Sequence, residues 1–389
     1  MNPNTTEATQ HDFPYFIGID LHSNNAVVCV KTTVKKGPAL VGKVIYSKKI
    51  NIIGEAGVET FFREIAPYCE NTDHYVVVES TYNWYWMADG FESRRWNLML
   101  ADPCTVSQAN LKHSDDYTDA EYLAERLRVG ALKCAKIMGK EDRALRDLCR
   151  FRGRLIQDRA REKITIVNLY TNQLSTRVKP NKLVEEAYVA QEELKERVAK
   201  EQLKIDDNAL DIDWDTILNA FDNKLIRTRI ASMIRIIQAF DKEIEALDEM
   251  IQASIKESVV ARSLQTIKGC GYVISTVIAT ELGEINRFES HKNFTSYCRL
   301  APTAKLSNGK SKGLGNAKNG NAYLSWAFTE LANMVIRFNP EAKRYYDKMF
   351  NRTHLRVKAI RSTAAKLARA VYMMLKHGEV FDVERCFGC

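Results

Sequence analysis

Four acidic residues in this chain are placed for phosphodiester chemistry. Asp20 closes the apolar run Phe16-Ile17-Gly18-Ile19-Asp20, and Glu79 closes Tyr75-Val76-Val77-Val78-Glu79. Asp116 and Asp119 stand three apart where a helical pattern begins, Asp116-Tyr117-Thr118-Asp119-Ala120-Glu121-Tyr122-Leu123-Ala124. A residue that ends a buried strand is held at the rim of its sheet, and residues at i and i+3 share one helix face. Carboxylates gathered at one point repel unless cations lie between them. A pair of magnesium ions ~3.5–4 Å apart, with manganese as the substitute, is an arrangement that serves phosphodiester cleavage. Few cationic residues lie beside these acids in the sequence. Asp115 competes with Asp116 for the first helical position, although only Asp116 gives the spacing of three.

A second constellation runs from Pro302 to Asn321, where Gly309, Gly313, Gly315 and Gly320 alternate with Lys305, Lys310, Lys312 and Lys318. Such a loop buries little; its amides and ammonium groups can wrap a phosphate backbone. Ser307 and Ser311 are its hydroxyls, and either can attack phosphorus to hold a phosphoseryl ester. Upstream, the stretch Leu264 to Val273 has the form of a helix-hairpin-helix turn. There Lys268, Gly269 and Gly271 would let backbone amides approach a DNA phosphate.

The elements that must position these residues follow from periodicity. Phe16–Asp20, Ala26–Thr33 and Val41–Ile50 read as an antiparallel meander, with turns at His22–Asn25 and Lys35–Pro38. A helix near Gly57–Ile65, the strand Tyr75–Glu79, an aromatic helix over Tyr82–Arg95 and the strand Leu98–Ala101 come next, before the helix bearing Asp119. That order is the order of a ribonuclease-H-like domain. Further on, Ile226, Ile230, Met233, Ile237, Phe240, Ile244, Leu247 and Ile251 keep a strict 4-3 repeat of coiled-coil type. The stretch Leu145 to about Leu174 is helical and basic, with Arg150, Arg152, Arg154, Arg159 and Arg161, and Pro180 to Asp215 would form the bend. An antiparallel hairpin results, either packing on itself or dimerising, with an arginine face that is either solvated or in contact with nucleic acid. The fold class is therefore α/β followed by α. The expected division is a disordered arm over 1–13, an α/β catalytic domain over 14–135, a coiled-coil helical region over 136–258, a mostly helical domain over 259–380 and a tail over 381–389.

Composition sets the outer limits. The chain has 389 residues, 45% hydrophobic and 27% charged, which suits two or three globular domains. No apolar run approaches the ~20 residues of a membrane span, and the polar stretch Met1 to Asp12 is no secretory signal. Nine cysteines lie without paired spacing apart from Cys386-Phe387-Gly388-Cys389, so reduced thiols in a cytoplasm are expected rather than a disulfide or zinc framework. Charge is uneven: residues 256–389 carry 22 Lys and Arg against 10 Asp and Glu, whereas residues 1–255 carry 35 against 39. A basic C-terminal third beside an acid-bearing N-terminal domain suits a polyanion held by one part and cut by another.

Taken jointly, Gly18-Ile19-Asp20, Glu79, the Asp116–Asp119 pair, Ile267-Lys268-Gly269-Cys270-Gly271, Pro302 with Ser307 five residues on, and Lys318-Asn319-Gly320-Asn321 with Leu324 resemble a known family. The chain is similar along nearly its whole length to DEDD transposases of the Piv/MooV type, the insertion-sequence family numbered one-ten. That resemblance implies a RuvC-like ribonuclease-H-fold domain, a coiled coil and a C-terminal transposase domain. It also implies Mg2+-binding acids at Asp20, Glu79, Asp116 and Asp119, and a serine nucleophile at Ser307. It further implies donor and target DNA as substrates, a structured guide (bridge) RNA as partner, a dimer or tetramer joined through the coiled coil with a composite site between subunits, and a cytoplasmic, nucleoid-associated location. Two other readings fit parts of the pattern: a RuvC-type endonuclease that hydrolyses with the acids alone, and a non-catalytic nucleic-acid scaffold. A covalent protein–DNA adduct separates the transposase from both.

Overall fold

Strands buried on both faces build the first part of the molecule. The computed structural model describes residues 13–70, 74–80, 82–102, 106, 115–135, 137–174, 221–301, 306–307, 310–311 and 319–388. Strands β1 (Phe16–Leu21), β2 (Asn25–Lys36) and β3 (Ala39–Asn51) form the expected antiparallel meander, with a bulge at Val30/Lys31. Both β2 and β3 outrun the apolar cores that signalled them, because their polar ends still pair with each other. Helix α1 (Gly54–Cys69) leads to β4 (Tyr75–Glu79), which lies parallel to β1. Helix α2 (Tyr85–Ser93), strand β5 (Met99–Ala101), helix α3 (Asp116–Arg128) and the short strand β6 (Cys134–Ala135) complete the unit. The sheet order is β3-β2-β1-β4-β5-β6, and its first five strands are compatible with a ribonuclease-H-like fold. The pairing of β6 has no periodic signal in two residues.

The pleat sends successive residues of the central strands to opposite faces. Ile17, Ile19, Val28, Val76 and Val78 join Phe61, Phe62, Met87 and Phe91 in one core on the side of α1 and α2. Val27, Cys29 and Val77 face the other way, toward Ala120 and Leu123 of α3.

The described residues divide at Lys140/Glu141 into two compact units. In the second, the long helices α4 (Lys140–Leu174) and α5 (Lys224–Ile255) run antiparallel. Their register is fixed by ion pairs from Arg152 to Asp248 and from Arg159 to Asp241. The 4-3 seam is occupied within the chain: Ile230, Met233 and Ile237 pack with Ile166, and Ile251 joins the core formed with Cys149 and the helices that follow. Of the two ways to cover the seam, packing on the chain's own helix is the one present. The arginine face is likewise largely internal. Arg150 bonds Glu281 through both carboxylate oxygens (2.6 and 2.8 Å), whereas Arg154 and Arg161, the latter paired with Asp158, are exposed. The segment Pro180 to Asp215, expected as the bend, lies outside the described residues.

Five helices surround the remaining core: α6 (Val259–Gln265), α7 (Tyr272–Leu282), α8 (His291–Tyr297), α9 (Ala322–Phe338) and α10 (Pro340–Thr353), with α11 (Arg356–His377) and α12 (Val383–Phe387) closing it. Leu264, Ile278, Phe294, Phe328, Leu331, Leu367 and Val371 are its buried centre. Among the described residues no helix is long and apolar enough to cross a membrane.

Candidate catalytic site

Parallel pairing of β1 with β4 matches Ile19 to Val78, so Asp20 and Glu79 follow side by side at the same sheet rim. Alternation puts both on the face covered by α3, opposite to Ile19 and Val78. Helix α3 comes down onto that face because residue 18 is glycine. A Cβ at Gly18 would overlap the Ala120 carbonyl oxygen and the Ala124 backbone nitrogen, so the helix main chain rests on the strand main chain. The first turn of α3 is thereby laid over Asp20.

That turn is fixed by a reciprocal cap. The Asp115 carboxylate accepts from the Thr118 amide (2.7 Å), while the Thr118 hydroxyl accepts from the Asp115 amide (2.8 Å). Asp115 is thus the N-cap, and Asp116 and Asp119 occupy the first turn, where the helix dipole favours negative charge.

Electrostatics ties the four acids together. Burial raises the Asp20 carboxyl; Asp116 and Asp119 add to the rise, and His22 opposes it. Burial also raises Glu79, followed by the charges of Asp20 and Asp119. Asp116 is held low, first by its hydrogen bond from Lys49 (2.8 Å) and then by His22. The expectation that cations are scarce here holds along the sequence and fails in space, because β3 brings Lys49 to an acid 67 residues later.

His22 was not among the sequence candidates. Its Nε2 lies 3.0 Å from an Asp20 oxygen and 3.3 Å from an Asp116 oxygen. The carbonyl of His22 accepts from Asn83 (2.7 Å) and its amide bonds the Asn25 carbonyl (2.9 Å), which fixes the turn that carries it. Ligand atoms of Asp20, His22 and Asp116 lie within 4.8 Å of one another, close enough to share one metal ion. The available signal was a histidine two residues beyond a strand-ending aspartate.

In the second unit, the serine stretch contains a small ribbon where only loop was expected. β7 (Leu306–Ser307) pairs antiparallel with β8 (Lys310–Ser311), placing Ser307 opposite Lys310 and Leu306 opposite Ser311. The intervening Asn308-Gly309 dipeptide, common in two-residue hairpins, is the signal that could have found it. Lys305, Lys312 and Lys318 lie outside the described residues. The far end of this stretch is firmly anchored. Gly320, at φ 95°, presses on the Tyr297 carbonyl, and its own carbonyl accepts from Arg299 (2.9 Å). The Asn321 side chain caps α9 and donates to Glu281 (2.7 Å), the same buried carboxylate that holds Arg150. A lone glutamate in the apolar helix α7 marked this junction in the sequence.

The α6–α7 turn separates the roles of its two glycines. Gly269, at φ 108°, sits against the Met334 and Val335 backbone, so packing on α9 explains it. Among the described residues no atom beyond the chain neighbours lies within 4 Å of a Cβ placed on Gly271, so none of them covers that amide end of α7 beside the exposed Lys268.

Comparison with known proteins agrees with this picture. The model of the DEDD transposase of IS110 matches residues 17–172, and the model described as the IS116/IS110/IS902 transposase family matches residues 261–347. The transposase for insertion sequence element IS1328 of Yersinia enterocolitica is 26% identical over 145 residues, covering 36% of this chain and 43% of that protein. A probable family 20 transposase of Pseudomonas aeruginosa is 24% identical over 144 residues, 36% and 42% of the two chains. A putative transposase, y4qE, of Sinorhizobium fredii is 29% identical over 102 residues, 24% and 26%. The chain spans less than half the length of each of these curated relatives it matches.

Proposed function

Because the chain belongs to the IS110 family of DEDD transposases, we propose that it cuts and rejoins DNA as the transposase of an insertion sequence, with Asp20, Glu79, Asp116 and Asp119 as metal ligands and Ser307 as nucleophile. The observation that carries this reading is the convergence of the four acids, with Asp20 and Glu79 both raised by burial and by their acidic neighbours. An oxygen-rich set of this kind suits magnesium or manganese, and the His22 nitrogen is the donor least suited to either. Asp20, Glu79, Asp116 and Asp119 would hold a divalent ion, which would neutralise the carboxylates and withdraw charge from a phosphoryl oxygen.

The protein groups divide the remaining work. Asp20 and Glu79 are fixed by the strand rim, Asp116 and Asp119 by the capped turn, and His22 bridges Asp20 and Asp116. Ser307 Oγ attacks phosphorus, one P–O bond of the phosphodiester breaks, and the freed sugar hydroxyl takes up a proton. The phosphoserine ester conserves the bond's energy until another sugar hydroxyl attacks it and releases the serine. Lys268, Lys305, Lys310, Lys312 and Lys318, with the amides of Gly269 and Gly271, contribute phosphate contacts without base specificity. Choice of sequence belongs to a bridge RNA that pairs with target and donor DNA.

The same reading gives residues 14–135 a RuvC-like catalytic role, 136–258 a coiled-coil role and 259–380 a transposase role with a helix-hairpin-helix-like turn. Support for the first is the strand order; for the last it is the open amide end at Gly271. A dimer or tetramer would use the outer face of the hairpin, where Ile236 and Met250 are 44% and 57% exposed.

The test is a denaturing gel of labelled DNA incubated with the protein and its co-purified RNA. Wild type should form a covalent adduct, Ser307→Ala should lose both adduct and recombination, and Ser311→Ala should keep at least part of each. An adduct lost in Ser311→Ala and kept in Ser307→Ala moves the nucleophile. Cleavage without an adduct in any variant means hydrolysis by the acids alone.

A further inference from the structure

Within the second unit, α4, α7 and α9 enclose a cavity of about 390 Å³ that the proposed reaction does not use. Its volume lies in the ~300–1,000 Å³ range of ligand sites and is too small for paired strands. Tyr323 and Trp326, three residues apart on α9, share one face and border it while remaining 39% and 45% exposed. The Arg150 guanidinium lies over the Tyr323 ring, 4.6 Å from its centre. Arg150 is neutralised by Glu281, but Arg154 on the same wall has no carboxylate partner among the described residues.

A second observation comes from Gly153. It lies inside the long helix α4, where glycine is disfavoured relative to alanine. It lines the cavity, and a Cβ added there would meet nothing within 4 Å among the described residues beyond its own helix turn. Packing among the described residues therefore does not account for this glycine. Close approach of a bound group to the helix backbone does.

We propose that this cavity receives one unpaired nucleobase of a single-stranded nucleic acid, stacked on the Tyr323–Trp326 face, with its phosphate toward Arg154. Flat aromatic faces accept any base, and the Arg154 guanidinium, which lies over the Phe151 ring and pairs with no described carboxylate, supplies the charge that a phosphate needs. This rests on the reading of the chain as a nucleic-acid enzyme and adds a site that includes none of the four acids and neither serine. RNA and DNA share the recognised chemistry.

The experiment uses the full-length protein, with fluorescein-labelled single-stranded RNA, single-stranded DNA and blunt duplex DNA as probes in anisotropy titrations. Gly153→Leu should fill the cavity without lowering the melting temperature. It should weaken single-strand binding about 5- to 150-fold, the equivalent of losing ~1–3 kcal/mol of base stacking, and leave duplex binding unchanged. Trp326→Ala should weaken it similarly, whereas Trp326→Phe should restore affinity and lose the tryptophan quenching that accompanies binding. The probe showing the larger loss identifies the source of the base. Single-strand affinity unchanged in Gly153→Leu overturns the cavity proposal while leaving the enzyme reading intact. So does a change in oligomeric mass in place of affinity, which would make the occupant a second copy. A wild type that binds none of the three probes overturns both.

Discussion

The two ends of helix α3 carry acids in opposite circumstances. Near its C-terminus, Glu121 and Glu125 each lie 3.0 Å from Lys31, whose side chain is only 8% exposed, and Arg128 adds a second bond to Glu125. Near its N-terminus, Asp116 and Asp119 meet Asp20 and Glu79, and the two strand carboxyls are raised. One end is an ion-pair cluster in which positive charge is built into the fold. The other has Lys49 and His22 on one side only, so Asp20 and Glu79 keep a charge that burial and their neighbours oppose. Acids of the first kind fasten a helix to a sheet. Acids of the second kind cost stability in the free protein, and a cation bound there would recover that cost.

The largest expected effect separates these roles directly. Asp20→Asn or Glu79→Gln should reduce strand cleavage by about 10³-fold, several kcal/mol of lost charge stabilisation, while melting at or above the wild-type temperature without added metal. Magnesium well above its dissociation constant should stabilise wild type by about 2.7 kcal/mol at a hundredfold excess, and Asp20→Asn should lose most of that shift. A melting temperature that falls in both variants would place the rim acids with the fasteners.

Gly18→Ala tests what holds the two ends together. The added methyl has nowhere to go against the α3 backbone, so a loss of about 1–3 kcal/mol is expected, with cleavage reduced as the first turn shifts from Asp20. Full activity at unchanged stability, from melting curves and cleavage rates, would show that the close approach is dispensable.

The compensated end should give the smallest effect, read through pH. The Glu125 carboxyl is lowered from 4.5 to about 2, first by Arg128, with Lys31 assisting and burial opposing. A lowered carboxyl contributes stability that is complete above the unfolded value and lost as pH falls. Denaturant titrations between about pH 4.5 and 2 should show wild type losing stability that Glu125→Gln never had. Asp20 and Glu79 work in the reverse sense: their raised carboxyls make folding easier as they protonate, so acidification should partly offset that loss. Parallel pH curves for wild type and Glu125→Gln would remove the distinction between the two ends.

Much of this contrast was legible before the fold. Apolar runs ending in Asp20 and Glu79 marked the strand rim, because a period of two and an abrupt polar end are local properties. The i, i+3 spacing marked the helical pair. What was not legible depends on chain crossings: Lys49 and His22 reach Asp116 through strand pairing and a turn, and no spacing encodes either. Gly18 was visible only as part of a motif, and its contact with Ala120 exists only once the helix lies on the sheet. The seam from Ile226 to Ile251 was read correctly as helical and apolar, yet periodicity alone left open which surface covers it.

That seam has one more property. Isoleucine recurs every seven residues at 230, 237, 244 and 251, so sliding α5 along α4 by two turns presents much the same apolar row. Hydrophobic contact alone cannot tell one alignment from the next. The pairs Arg152–Asp248 and Arg159–Asp241 can, because they are seven apart on both helices. A slip of one turn breaks both, and a slip of two turns keeps one and leaves an arginine and an aspartate stranded. The two rungs act as an error check on a repetitive ruler, rejecting misaligned hairpins that grease alone would accept.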